Sequence, residues 1–329
     1  MSTKPTLTFA CGLYDRVLPL YTGEVKPVGF DLNFLAINGP REIFDRMGGR
    51  QEFDSSEFSS SEFIAGLSAG TTPFVALPFF PSRVFRHSMI TINRRSGIKS
   101  PKDLEGKRVG TALYTQTAAI FIRGMLQHDH GVDMSKIHWV QGALNHVGTH
   151  GQPSAPPLLK KVDIEIADPK KSLSDLIDKG EIDAICATNL PACMKHNPDV
   201  VRLFPNYREV EKDYFKRTGI FPIMHLVAMR RDTYEKYPFA ASSLYEALKR
   251  SRERALKLMR ETGALRFMLP WMTADLDELD DVFGGDPWPD GIEANRKTLE
   301  ALVTYMHEQH MIAKKIPIED IFVKTFESH

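Results

Sequence analysis

The stretch Phe79-Phe80-Pro81-Ser82-Arg83-Val84-Phe85-Arg86-His87-Ser88-Met89-Ile90-Thr91-Ile92-Asn93 puts two arginines and a histidine at the end of an apolar, strand-like run. Guanidinium forks match the geometry of carboxylates and phosphates. An imidazole changes charge near neutral pH. The cluster therefore reads as an anion site with a proton-transfer group, although any one of these residues, taken singly, reads equally well as a surface ion pair or a strand cap.

Working outward, Leu7 to Cys11 reads as a short buried strand followed by the polar loop Gly12-Leu13-Tyr14-Asp15-Arg16. In an open α/β sheet such a loop lies at the carboxyl end of its strand, where ligands bind. Phe30 to Ile37 and Phe74 to Pro78 read as further strands, with a short helix from Pro40 to Gly48 between them. Ser59 with Glu62 has the spacing of a helix cap ahead of Ile64 to Ala69. The cap has no need of Asp54 or Glu57, which makes those two acids candidates to line a pocket. Farther along, Lys107 to Thr111 opens a βα unit whose helix runs from about Ala118 to Asp129. Its first amides, with Thr115, Gln116 and Thr117, could cradle an anion. Val162 to Ile166, a helix from Ser172 to Asp178, and Ile182 to Asn189 continue the β-α-β order of a second parallel sheet, with polar Asn189 at a strand end. Thr218 to Met229 is an apolar run interrupted by His225, and Pro238 onward turns helical over Ser242 to Arg260 and Asn295 to Gln309. The turn Asp286-Pro287-Trp288-Pro289-Asp290-Gly291 between those helices offers Trp288 as a pocket cover.

A chain of 329 residues exceeds one ordinary core, so two domains are expected. The predicted division is a lobe of residues 1–92 plus 226–329, including the C-terminal helices, and a lobe of residues 93–225, with ligand held in a hinged cleft between them. Lys plus Arg and Asp plus Glu number 42 each, without long runs of one sign, so no nucleic-acid partner is expected. No apolar stretch reads as a secretory leader or a bilayer span, and no membrane partner and a cytoplasmic location are expected. Three cysteines, Cys11, Cys186 and Cys193, fit a reducing compartment and lack the spacing of a structural zinc site. Neither GxGxxG nor a P-loop is present, which disfavours nucleotide binding.

Taken together, the Tyr14-Asp15-Arg16 loop, Glu52-Phe53-Asp54 with Glu57 and Ser59, Pro81 to His87, Phe221-Pro222-Ile223-Met224-His225, and Gly285 to Pro289 followed by Gly291 and Asn295 resemble the 4,5-dihydroxyphthalate decarboxylases over nearly the whole chain. The resemblance implies an α/β, two-lobe type 2 periplasmic-binding-protein-like fold with C-terminal helices. It implies conversion of 4,5-dihydroxyphthalate to 3,4-dihydroxybenzoate and carbon dioxide. Two positions depart from the family: Asp290 stands where its Pro-Trp-Pro-Tyr-Gly has tyrosine, and His310 where glycine follows Glu-Gln.

Each ring hydroxyl of that substrate is para to a carboxylate, so deprotonating it pushes electrons toward the carbon that loses carbon dioxide and gains a proton. Such chemistry needs acid-base groups and a clamp on the retained carboxylate. His225 and His87, with Glu57 and Asp54 as orienting or alternative groups, are the catalytic candidates; donor and base are not assigned among them. Arg16, Arg83, Arg86, Thr115, Gln116, Thr117, Asn189 and Trp288 are the substrate-binding candidates. No cofactor is expected. A divalent metal at His128 and His130, or His146 and His150, would need distant carboxylates to join them, and HExxH is absent. The alternative reading is a non-catalytic solute-binding protein for an aromatic carboxylate. A pyrimidine-synthase-like enzyme would call for a cysteine-rich iron segment that is not present. Homo-oligomerisation through the C-terminal helices is compatible with the pattern.

Overall fold

The computed structural model describes residues 4–325. Among these the strands are β1 (Thr6–Cys11), β2 (Asp31–Ala36), β3 (Ser55–Ser59), β4 (Phe74–Arg83), β5 (Ile90–Asn93), β6 (Arg108–Thr111), β7 (His138–Gln141), β8 (Ile164–Ile166), β9 (Ala184–Cys186), β10 (Val200–Arg202) and β11 (Ile223–Arg230). The helices are α1 (Leu18–Tyr21), α2 (Pro40–Arg50), α3 (Ser60–Ser68), α4 (Thr117–His130), α5 (Leu173–Asp178), α6 (Tyr207–Thr218), α7 (Arg231–Lys236), α8 (Pro238–Met259), α9 (Met272–Phe283) and α10 (Arg296–Glu308). None of the described helices is long and apolar enough to cross a membrane.

The chain divides into two units: Met1–Arg83 with Ile223–Leu299 and Ile316–His329, and Val84–Pro222 with Glu300–Lys315. It leaves the first unit at Arg83/Val84 and re-enters it at Pro222/Ile223, rather than at 92/93 and 225/226. The pairing explains both shifts: β5 hydrogen-bonds to β9 and β10 in the second sheet, whereas β11 pairs with β3 and β4 from Ile223 onward. Residues 300–315 join the second unit because Tyr305 packs on Gly124, where a Cβ would lie 2.2 Å from the ring, and Gln309 accepts from Arg123 Nε at 2.8 Å.

In the first unit the strand order is β2-β1-β3-β11-β4, with β1, β2 and β3 parallel and β11 antiparallel to both of its neighbours. Phe9, Leu77, Phe79, Val227 and Met229 bury one face of this sheet against Leu244, Tyr245 and Leu248 of α8. Burying each such side chain contributes roughly 1.5–3 kcal/mol. The second unit has the order β10-β5-β9-β6-β7-β8, with β6, β7, β8 and β9 running parallel. Its core gathers Ile90, Val109, Ile122, Leu126 and Trp139. Ser59 caps α3 by accepting from the Glu62 amide, as its spacing predicts, while the Glu62 carboxylate turns to Arg41 at 2.6 Å. The second departure, His310, adopts φ +62°, a conformation that glycine takes at less cost.

Candidate active site

The register brings the chemistry-bearing residues of the first unit to one sheet edge. Strands β1 and β3 run parallel and end at Cys11 and Ser59, while β11 starts there in the opposite direction, with His225 opposite Ser59 and Ile223 opposite Arg83. The β11 and β4 ladder is irregular on both sides of His225. Strand β4 carries Pro78 and Pro81 in this region, and proline has no N–H to give a ladder. Three β4 carbonyls instead serve the site: Pro81 O accepts from Arg16 Nε at 2.5 Å, Phe80 O from Trp288 Nε1 at 2.9 Å, and Pro78 O from the Gly291 amide at 2.8 Å.

At the centre lies Glu57, fully buried on β3. Its Oε1 accepts from His225 Nδ1 at 2.5 Å and from the Tyr14 hydroxyl at 2.8 Å, and its Oε2 from the Gly12 amide at 3.0 Å. Burial alone would raise this carboxyl's pKa, but the imidazole and the converging donors outweigh it and hold the group below its usual range. Glu57 is thus an anion that orients His225: with Nδ1 engaged, Nε2 is the nitrogen left for chemistry, and the ring keeps 17% of its side-chain surface open. Gly12 is required here, because a Cβ would fall 2.6 Å from the Tyr14 ring that folds back over it. Burial and the Glu57 charge raise the Tyr14 phenol, which stays protonated as a donor.

The Tyr14 ring also carries Arg16. Its guanidinium lies 4.2 Å from the Tyr14 ring centroid and 4.4 Å from that of Trp288, a cation held between two π faces. Asp15 takes one hydrogen bond from Arg16 Nη1 at 3.1 Å. Burial lowers the Arg16 pKa, and Asp15 offsets part of that effect. His225, Glu57, Tyr14, Arg16 and Trp288 form one continuous chain of contacts.

The Trp288 turn is braced from beneath. Arg83 donates to Pro289 O at 2.8 Å and to Asn295 Oδ1, while Asn295 Nδ2 donates to Pro289 O and Gly291 O at 2.9 and 2.8 Å. Arg252, buried on α8, reaches Asp286 at 2.7 Å and Asp290 at 3.3 Å, and Asp286 accepts the Trp288 amide at 2.9 Å. Asp290, the departure from the family's tyrosine, is thereby paired with a cation. Burial pushes Arg83 down to about 9, with Asp286 the main opposing charge. Its contacts are those of a brace for the turn, which differs from the substrate-clamp role read from sequence.

Asp54 is placed apart. It accepts from the Thr8 amide at 2.7 Å, the Thr8 hydroxyl at 2.9 Å and the Thr233 hydroxyl at 3.1 Å, fastening β3 to β1 and α7. Three residues from Glu57 along extended chain, it faces the opposite side and lies about 10 Å away.

In the second unit, Thr111 and Ile90 both register with Cys186, so residues 112–117, 187–189 and the segment before β5 share one sheet edge. Arg86 lies there, 7% exposed, with Nη1 donating to Thr188 O at 3.3 Å and Nε without a partner among the described residues. Burial pushes it down to about 10, with Glu211 opposing. Thr115 and Thr117 flank Gln116, whose Nε2 meets His150 Nε2 at 3.1 Å, and Asn189 is exposed. His87, by contrast, is 1% exposed in the core of that unit, edge-on to Phe204 and Tyr214. Neither ring nitrogen has a hydrogen-bond partner among the described residues, and burial, with the His130 charge, lowers its pKa to about 4. A buried neutral imidazole of this kind does not meet the expectation of an exchanging proton carrier. Among the described residues no group of three or more His, Cys, Asp and Glu side chains could hold a metal ion. Tyr14, Gly12 and Arg252 were given no role by sequence reasoning. The Gly12 to Arg16 loop after a buried strand was the signal available for the first two, and Arg252 had none.

Comparison with known proteins agrees with this architecture. Residues 84–153 match the family described as NMT1/THI5 like. The chain resembles a periplasmic sulfonate-binding protein of Methylobacillus flagellatus KT (TM-score 0.51, 11% identity, 97% of this chain and 91% of that one). A Candida albicans protein with the generic periplasmic binding protein fold gives TM-score 0.51 at 14% identity, over 98% and 97% of the two chains. The fold is therefore periplasmic-binding-protein-like, mixed α/β with C-terminal helices. Among curated sequences, a 4,5-dihydroxyphthalate decarboxylase of Pseudomonas putida is 36% identical over 214 residues, 65% of this chain and 82% of that protein. Another, from Comamonas testosteroni, is 32% identical over 321 residues, 97% of each chain. With that identity along nearly its whole length, the chain belongs to the 4,5-dihydroxyphthalate decarboxylase family of carboxy-lyases.

Proposed function

We propose that this protein converts 4,5-dihydroxyphthalate to 3,4-dihydroxybenzoate and carbon dioxide, with His225 as the proton-transfer group, Glu57 as its positioning residue and Arg16 as the anchor of the retained carboxylate. The observation carrying this reading is the continuous Trp288, Arg16, Tyr14, Glu57, His225 chain, which ties an anion-binding guanidinium to an oriented imidazole through one tyrosine. Ionisation of the hydroxyl para to the departing group enriches the carbon that bears it. The His225 Nε2 proton is delivered to that carbon, its carboxylate carbon bond breaks with the electron pair returning to the ring, and the hydroxyl recovers a proton. The net change consumes one proton and releases carbon dioxide. Glu57, accepting from Nδ1, orients the ring and leaves Nε2 to donate. Arg16, flanked by the Tyr14 and Trp288 rings, binds the other carboxylate, so the group that leaves is the less compensated one. In the second unit, Arg86 with Thr115, Gln116, Thr117 and Asn189 is a further anion-binding set in this proposal.

The test is to incubate the purified protein with 4,5-dihydroxyphthalate and follow carbon dioxide and 3,4-dihydroxybenzoate. Both should form in equal amounts, and His225→Ala should abolish most of the turnover. Tight binding without product would instead assign the chain to solute binding.

A further inference from the structure

Against the turn that carries Trp288, the first unit holds a cavity of about 470 Å³. Ligand pockets span roughly 300–1,000 Å³ and set a few polar groups among apolar walls. Here Pro78, Ile292, Phe322 and Val323 supply apolar wall, and Asp290 and Tyr245 stand among them. The Gly291 amide ties this lining to the sheet by donating to Pro78 O at 2.8 Å, so the cavity adjoins the brace of the Trp288 turn.

Asp290 is the group left incomplete on this wall. Its Oδ2 accepts from Arg252 Nε at 3.3 Å, a long bond from a guanidinium whose Nη1 is turned to Asp286 at 2.7 Å. Its Oδ1 accepts no hydrogen bond among the described residues, although only 9% of the side chain is exposed. A carboxylate oxygen so far withdrawn from water is costly without a donor. The residue type adds a shape to that need: an aspartate ends most of a ring short of the tyrosine that the family has at this position, so the wall lacks both a ring and a hydroxyl. Charge adds no further demand. Arg252 is shared by Asp286 and Asp290, and Arg296 by Glu293 and Glu319; Arg83 near the first pair and Lys324 on the same lining as the second bring acids and bases into balance. What the cavity calls for is therefore a neutral molecule with an apolar body and one donor.

We infer that this cavity is a binding site for a small neutral phenol, whose hydroxyl donates to Asp290 Oδ1 and whose ring lies against Pro78, Phe322 and Val323. Bound there, the ligand supplies from outside the ring and hydroxyl that the family's tyrosine carries within the chain, and it joins Arg252 in bracing the turn. The inference concerns binding alone and stands or falls without reference to turnover.

The experiment is isothermal titration calorimetry of the full chain with 4-methylphenol at pH 7, where a phenol of pKa about 10 is neutral. One equivalent should bind and should raise the melting temperature. Toluene, which has the same shape without the hydroxyl, should bind at least about tenfold more weakly, the loss typical of a hydrogen bond to a charged group. Asp290→Asn keeps the size of the side chain and should weaken 4-methylphenol by a similar factor, since with its oxygen on Arg252 it turns an NH2 toward the ligand. Asp290→Tyr, which returns a phenol to the wall, should abolish binding. Circular dichroism of both variants should match wild type, showing that they fold. Saturating phthalate, a dianion suited to the guanidinium of the candidate active site, should leave the 4-methylphenol isotherm unchanged. Absence of binding to the wild type, equal binding of toluene, displacement by phthalate, or undiminished binding to folded Asp290→Asn or Asp290→Tyr would each overturn the inference.

Discussion

Replacing Glu57 by glutamine is the sharpest test of the site. Two donors, His225 Nδ1 and the Tyr14 hydroxyl, converge on Oε1, and the Gly12 amide binds Oε2. A glutamine has one carbonyl oxygen and one NH2. With its oxygen toward His225, the NH2 confronts the Gly12 N–H; turned round, it confronts the imidazole and the phenol. The first arrangement sets donor against donor in a fully buried position, and the second forces His225 Nδ1 and the Tyr14 oxygen to accept instead of donate; the cost is about 1–3 kcal/mol in stability. The negative charge that accepts from Nδ1 is lost as well. A charge-assisted hydrogen bond is worth about 1–2 kcal/mol more than a neutral one, so kcat should fall roughly 5- to 30-fold. Because Glu57 is sealed behind His225 and Tyr14, KM should stay within about twofold of wild type. Turnover followed by product absorbance, with urea unfolding of both proteins, measures all three quantities. The sign of the pH effect follows from the depressed carboxyl pKa: the stability it contributes is present above 4.5 and is lost as pH falls through the lower folded-state value, so the gap between the two proteins should close in acid. Within a His225→Ala background the glutamine should cost little further turnover, since both changes remove one unit. Unchanged kcat in Glu57→Gln, or an effect confined to KM, would refute the orienting role.

Arg16→Lys keeps the charge but loses the planar stack between Tyr14 and Trp288, and should raise KM at least about tenfold with kcat within about threefold. Arg252→Ala removes the cation shared by Asp286 and Asp290, freeing the turn. It should raise KM roughly 5- to 30-fold and red-shift the Trp288 fluorescence, with Asp290→Asn giving a smaller change in the same direction. His87, neutral in its core site, refuses a proton that the unfolded chain accepts. Stability should therefore decline by roughly 3 kcal/mol as pH falls from 6.5 toward about 4, and His87→Leu should flatten that decline in urea titrations at pH 7 and 5. Asp54→Asn should lower stability by about 1–2 kcal/mol through its Thr8 and Thr233 bonds while leaving kcat unchanged, as read by melting and turnover together.

How much of this was legible in the sequence differs by scale. The short apolar strand-like runs, the Ser59 cap and the β-α-β order carry the fold, because parallel strands buried on both faces have little freedom in composition. His225 and Glu57 are also legible, each a polar group in an otherwise apolar or capped strand. Helices α6 and α9 are not, since α6 buries fully only Tyr214, and α9 only Met272 and Leu276, which leaves a weak apolar period. Asp54 and Glu57 look alike in sequence, three residues apart in one Ser-rich segment. What separates them is the face of the strand, which depends on a register that sequence does not display.

Arg83 and Arg86 make the same point about spacing. Three positions apart in one apolar, basic stretch, they read as a pair, yet the chain changes units between them, at Arg83/Val84. Arg83 is the last residue of β4, whose two prolines had already turned carbonyls outward for Arg16, Trp288 and Gly291. A guanidinium at that point is drawn to the acceptors of the turn those carbonyls anchor, Pro289 O and Asn295 Oδ1. Arg86, beyond the crossing, has one hydrogen-bond acceptor among the described residues for its whole guanidinium, Thr188 O at 3.3 Å. A buried cation left under-satisfied is costly unless an anion completes it. Of the two arginines, Arg86 is therefore the one whose own hydrogen bonding calls for a ligand: Arg86→Met should weaken binding of a carboxylate product while preserving or raising the melting temperature, whereas Arg83→Met should lower it.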